Sequence, residues 1–199
     1  MALLTDVQKS ARKNGRTWVK PLYVIHPDAN APKFATNKFI FEETEYDNLT
    51  LAAIDKRFKY ITPSDDPKVK KDITVLYTDE AIDDNPVYNE LAAKHGTKGE
   101  DAVKFVNEYL VFIAELDEFA VVDVKTYAKN LVKAFEDDSV ENPGLLIKVT
   151  PNIHKPEKAK FNSKLYLWEV EVTDELVDLN EKEGLENEIK IFTQVDEQV

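Results

Sequence analysis

Cysteine is absent from this chain. Without it there is no disulfide scaffold, no thiolate metal site and no cysteine nucleophile, and a reducing cytosol is the simplest setting. Glycine is scarce, at five residues in 199, and no segment repeats at a fixed period, which excludes collagenous and low-complexity classes. Histidine is rarer still: His26, His95 and His154 stand far apart, and neither an HExxH pair nor a glycine-rich phosphate loop occurs. Metal and nucleotide chemistry therefore have little to work with, and no cofactor is expected. The adjacent acids Asp65-Asp66, Asp83-Asp84 and Asp137-Asp138 could hold magnesium, but such pairs in turns and at helix ends are usually solvated. No apolar run approaches the roughly 18 residues needed to cross a bilayer. The opening MALLTDVQKSARKNGR puts its basic residues after a very short apolar start, the wrong order for a secretory signal. These absences predict a cytoplasmic protein that is not an enzyme and has no membrane partner.

What is present is a core and an uneven charge. Hydrophobic residues make up 43% of the chain, enough to fill one sizeable domain. The net charge of −12 hides a basic head and an acidic tail. Residues 1–41 carry seven basic residues against Asp6 and Asp28, a net of +5, and residues 173–199 carry nine acids against Lys182 and Lys190, a net of −7. Such asymmetry suggests a protein that handles a polyanion and carries its own competitor for that surface. The chain divides into a basic arm over 1–16, a core over 17–172 with an insertion at about 79–105, and an acidic tail over 173–199.

Aromatic and β-branched residues predict strands over 17–25, 38–42 and 72–78. A short helix is expected over Leu49 to Phe58, with Asn48 as its cap and Leu49, Ala52 and Ala53 on one face. Asn85-Pro86 and Gly96 bracket a second helix. Asn107 to Leu116 and Phe119 to Val124 are apolar runs that read as a hairpin, and Tyr127, Ala128, Leu131, Val132 and Phe135 mark an amphipathic helix over 126–137. Strands over 145–150 and 165–172 follow, joined by a basic loop. A helix lodged between the third and fourth strands of a small barrel, before a final hairpin, is the topology of the OB-fold. The fold expected is mainly β with helices, α+β in class: an OB-like barrel with inserted helices and an acidic tail.

From Val106 to Val172 the chain carries an apolar hairpin ending in VVDV, a helix beginning at Lys125-Thr126, Glu136-Asp137-Asp138 before Pro143-Gly144, the strand LLIKVTP, a lysine-rich loop and a closing YLWEVEV. This third of the chain resembles the single-stranded DNA-binding proteins of tailed phages. The resemblance implies an OB-barrel groove for single strands and an acidic tail that contacts replication or recombination proteins and competes with DNA. It also implies the cytoplasm of a phage-infected bacterial host.

Three clusters offer the chemistry of such binding, phosphate neutralisation beside aromatic stacking. The loop and its flanks hold Lys148, Lys155, Lys158, Lys160, Phe161, Tyr166 and Trp168. Tyr166 and Trp168 share one face of their strand, as groove platforms or as core. The arm and first strand hold Arg16, Trp18, Lys20 and Tyr23, and a weaker cluster is Arg57, Lys59 and Tyr60. Each also has a plainer reading, as a solvated hairpin tip or a frayed tail. The tail from 173 to 199 is too apolar for pure disorder, with helix-compatible Leu176 and Leu179 and a strand-like 188–195, so docking on its own body or on another subunit is expected. The competing expectation is an acidic interaction protein, a DNA-mimic inhibitor or a virion component, whose carboxylates are the surface.

Overall fold

In a computed structural model the described residues are 19–25, 37–64, 68, 72–79, 85–99, 101–125, 128–154 and 165–193. The fold is mainly β with a few helices. Nine strands form one mixed sheet: β1 (Pro21–Ile25), β2 (Lys38–Phe41), β3 (Thr44–Tyr46), β4 (Leu49–Pro63), β5 (Asp72–Thr78), β6 (Lys104–Ile113), β7 (Glu118–Val124), β8 (Leu145–His154) and β9 (Leu165–Leu176). Their order is β3-β2-β1-β7-β6-β4-β8-β9, with β5 also paired to β4. The helices are α1 (Pro86–His95), α2 (Lys129–Lys133), α3 (Ser139–Glu141) and α4 (Leu185–Thr193), with a π-helical turn at Ala134–Asp138 and a 3-10 turn at Leu179–Glu181. Among the described residues no helix is long and apolar enough to cross a membrane.

β4 is the spine. Leu49 to Leu51 pair with β8, Leu51 to Ile61 pair with β6, and Phe58 to Pro63 pair with β5. These pairings are antiparallel, whereas β1 joins β7 in parallel through Pro21 and Leu22. On β6 every residue from Val106 to Ile113 is buried, Asn107 and Glu108 included, and the unbroken apolar run from Tyr109 to Ile113 reflects cover on both faces. Tyr109, Val111 and Ile113 enter the main core with Leu49, Leu51, Val122, Ile147, Val149 and Trp168. Leu110 and Phe112 face the other way. The sheet curls until Phe39 of β2 meets Trp168 of β9, ring centroids 5.9 Å apart. Leu131, Ala134 and Phe135 fill the inside of the curl. It remains an open sheet, with β3 and β9 at the ends of its order.

The second face is covered by the chain's own C-terminal segment. Val177, Leu179 and Leu185 pack on Ala52, Phe112, Phe119 and Leu146, and Phe192 of α4 is buried against Leu110 and Val19. Gly144 makes this return possible. Its φ is +84°, its carbonyl accepts from Val177 N at 2.9 Å, and a Cβ there would lie 2.1 Å from the Val177 carbonyl oxygen.

Several expectations change. Leu49 to Phe58 is strand, not helix: Leu51, Ala52, Ala53 and Ile54 give both faces apolar residues, and pairing with β6 overrides the weak helical spacing. β3 was not expected, because its turn places Glu42 and Glu43 at φ +47° and +73° where Asn-Gly is the usual signal. Helix over 126–137 becomes α2, the π turn and α3, and residues 126–127 lie outside the described residues. β9 runs past 172 to Leu176, and the strand expected over 188–195 is α4 through Thr193.

Two outcomes test this cover. Phe192→Ala is expected to cost about 3 kcal/mol in urea unfolding, the usual loss for a buried aromatic, and Gly144→Ala more than about 1 kcal/mol. A chain ended at Val172 uncovers Leu110 and Phe112, so it should lose its cooperative transition; unchanged unfolding would show that the segment is dispensable.

Candidate nucleic-acid interface

The stretch KRFKYI on β4 alternates, and the sheet sends its two halves to opposite faces. Arg57 and Lys59 lie on the face covered by α4. The Arg57 guanidinium sits 4.0 Å from the Tyr77 ring centroid and 4.5 Å from that of Phe192. Its Nη1 donates to the Phe192 carbonyl at 2.9 Å, closing the C-terminal end of α4, and its Nε donates to Glu108 at 2.5 Å. Lys59 Nζ lies 3.3 Å from Glu108 and 2.6 Å from Asp123. Loss of hydration pulls the Lys59 ammonium down, but Asp123 and Glu108 outweigh it and hold it above the ordinary lysine value. Asp123 is pushed up by loss of hydration, against Lys59 and helped by Glu108. Two cations meet two carboxylates, with Glu108 only 5% exposed at its side chain. Phosphate neutralisation by Arg57 and Lys59 is therefore corrected: both charges are already matched, Arg57 by the buried Glu108 and Lys59 by Glu108 together with Asp123, whose side chain is 48% exposed.

Other expected residues are also relocated. Tyr60 is 3% exposed and Trp168 is 9% exposed, so neither is an open platform. Trp168 packs on Phe39, and its carbonyl accepts from Asn130. Lys20 is ion-paired with Glu42 at 2.9 Å and Glu118 at 3.2 Å. Those two carboxylates rim a concavity of about 240 Å³ lined also by Phe41, Thr44, Tyr46 and Leu116, a poor seat for a polyanion. Lys148 is exposed on β8, in register with Thr50 and Glu171. Tyr23 stands 51% exposed on β1. Tyr166 pairs through its backbone with Ile153, but its side chain lies outside the described residues, as do Arg16, Trp18, Lys155, Lys158, Lys160 and Phe161. Among the described residues no group of three or more His, Asp or Glu is placed to hold a metal.

The opposite face of the same stretch sets Tyr60 among residues the sequence did not point to: Lys56, Phe58, Tyr88 and Phe105. Phe58 and Tyr60 meet Phe105 of β6, with ring centroids 6.2 and 6.1 Å away, and Tyr88 lies 5.2 Å from Tyr60. Asn85 caps α1 by accepting from Val87 N and Tyr88 N at 2.9 and 3.2 Å, with Pro86 next in line, so local sequence builds the helix that brings Tyr88. Phe105 is 45% exposed. The cluster is thus an aromatic shelf with Tyr60 buried beneath and Phe105 open to solvent. Lys56 stands at its margin, Nζ 4.6 Å from the Phe58 centroid and 2.5 Å from Glu136 Oε1. Tyr109 Oη donates to the same oxygen at 2.5 Å. Reading 49–58 as helix hid this arrangement; the period-two pattern Lys56, Phe58, Tyr60 was its signal.

Burial, and then the bond to Glu136, push the Tyr109 phenol far above its ordinary range. Loss of hydration pushes the Glu136 carboxyl up, but hydrogen bonds from Lys56 and Tyr109 outweigh it and leave it below the ordinary glutamate value. A depressed carboxyl stabilises the fold fully above its unfolded pKa, and that contribution is lost as pH falls through the folded one. The wild type should therefore unfold at higher urea than Glu136→Gln at neutral pH, and the gap should close as pH drops below 4.5. A gap that persists at low pH would contradict this assignment. Compared with known proteins, the chain matches no family model, no curated protein and no solved structure.

Proposed function

We propose that this chain binds single-stranded nucleic acid, DNA in the first instance, by base stacking on the Phe58–Phe105 shelf with lysines neutralising the backbone, and that it protects replication or recombination intermediates without cutting them. The observation that carries this reading is the open Phe105 ring, packed beside the buried Tyr60 and against Phe58, with Lys56 Nζ over the Phe58 ring. Stacking platforms of this kind are tolerant of sequence and contribute about 1–3 kcal/mol per base. The order β7-β6-β4-β8-β9, with α2 to α3 between β7 and β8, supports an OB-like reading of these five strands. In that reading β1 to β3 lengthen the sheet beside β7, and the insertion between β4 and β6 brings α1 to the shelf. The C-terminal segment keeps its exposed acids Glu175, Glu181, Glu183 and Glu186 on the outside while docked, where they are available to replication or recombination proteins.

A second reading is favoured by one specific observation: Arg57, Lys59 and Lys20 are all matched by carboxylates. An acidic interaction protein, a DNA mimic or virion component, would present its −12 directly. The two readings separate in one titration. Anisotropy of a labelled oligo-dT at low salt should show binding that weakens steeply as salt rises, and Phe105→Ala should weaken it about 5- to 150-fold. No binding at low ionic strength sinks the single-strand reading and leaves the acidic one.

A further inference from the structure

We propose, resting on the single-strand reading, that Lys56 and Glu136 form a phosphate-exchange site: a backbone phosphodiester of the strand stacked on the shelf takes the place of the Glu136 carboxylate on Lys56 Nζ. A carboxylate and a phosphodiester offer an ammonium the same chemistry, a delocalised anion with oxygen acceptors. Glu136 thus holds Lys56 in place in the unbound protein and competes for it in the bound one.

Three observations recommend this pair over its neighbours Arg57 and Lys59 on the same strand. The first is access. The Lys56 and Glu136 side chains are 30% and 36% exposed, whereas Arg57 and Lys59 are 15% and 14% exposed and share a Glu108 that is 5% exposed. An ion pair at the surface is weak and exchanges readily, while a buried one cannot lose a partner without stranding a charge. The second is position. Lys56 Nζ lies over the Phe58 ring, 4.6 Å from its centroid, and Phe58 meets Phe105 edge to face, so a strand with a base on the open Phe105 brings the next part of its backbone toward the ammonium. The third is the way Glu136 is held. It is the middle residue of the π turn at Ala134–Asp138, where the Ser139 N–H donates to the Ala134 carbonyl five residues back. Single π turns recur at functional positions. Tyr109 donates to the same Oε1 that Lys56 uses, so the carboxylate keeps a neutral donor when the lysine leaves and is not stranded by the exchange.

The test is a double-mutant cycle read by oligo-dT anisotropy across a salt series, with urea unfolding confirming that each variant is folded. Glu136→Gln preserves an acceptor for Tyr109, removes the competing charge, and is expected to tighten binding by up to about 5-fold, the range of an exposed pair. Lys56→Gln should weaken binding and reduce the slope of log K against log salt by about 0.7, one phosphate contact on a single strand. In the Lys56→Gln background, adding Glu136→Gln should give no gain. Exchange is overturned if Glu136→Gln leaves affinity unchanged or weaker, or if its gain persists without Lys56, which would make Glu136 merely a nearby negative charge. If Glu136→Gln fails to fold, an unchanged salt slope in Lys56→Gln overturns the proposal alone. Wild-type binding that depends on Phe105 but not on this pair rejects the exchange and leaves the single-strand reading standing; no wild-type binding rejects both.

Discussion

Burial of β6 on both faces is the constraint from which the other placements follow. Its eight consecutive buried residues, Val106 to Ile113, need two separate covers, because successive side chains point to opposite sides of a sheet. One cover is the curled sheet with the helical segment from α2 to α3 inside it, closing on Tyr109, Val111 and Ile113. The other is the returning C-terminal segment, which places Leu179, Leu185 and Phe192 over Phe112 and Leu110. The acidic segment is therefore structural before it is anything else. Among the described residues its carboxylates other than Glu188 are exposed, while its aliphatic residues complete the fold.

The same two-sidedness sorts the charges. Where β4 runs beside β6, one face carries Arg57 and Lys59 into a network with Glu108 and Asp123. There the desolvated cations serve the docking of α4, through the Arg57 bond to the Phe192 carbonyl and its stacking between Tyr77 and Phe192. The other face presents Lys56 beside aromatic rings at the margin of solvent. Adjacent basic residues on one strand thus have unlike fates, one set largely buried and one nearer the surface.

Much of the fold was legible. β5 matches its expected span of 72–78, and α1 was marked at both ends by Asn85-Pro86 and Gly96, since capping is local chemistry. The β6–β7 hairpin was visible in its apolar runs. The start of β4 reads as helix because the consecutive apolar residues Leu51 to Ile54 lack the period-two alternation that identifies a strand. β3 was invisible because its turn uses glutamates in a conformation that glutamate seldom adopts. The shelf is legible in part: sequence adjacency groups Tyr60 with Arg57 and Lys59, whereas the residues that meet it in space are Phe105 and Tyr88.

By itself the sequence determined that cysteine chemistry is excluded, that the chain is mainly β with helices, and which residues along a strand share a face. Tertiary structure decided which faces are covered. Period-two alternation separates Lys56 from Arg57 but does not say that Phe192, 135 positions away, lies against one of them, or that Glu108 neutralises it. It likewise left Trp168 open as core or platform until Phe39 closed on it. The physical reason is that burial and charge pairing are properties of what arrives from far along the chain, and a local pattern carries no record of its arrival.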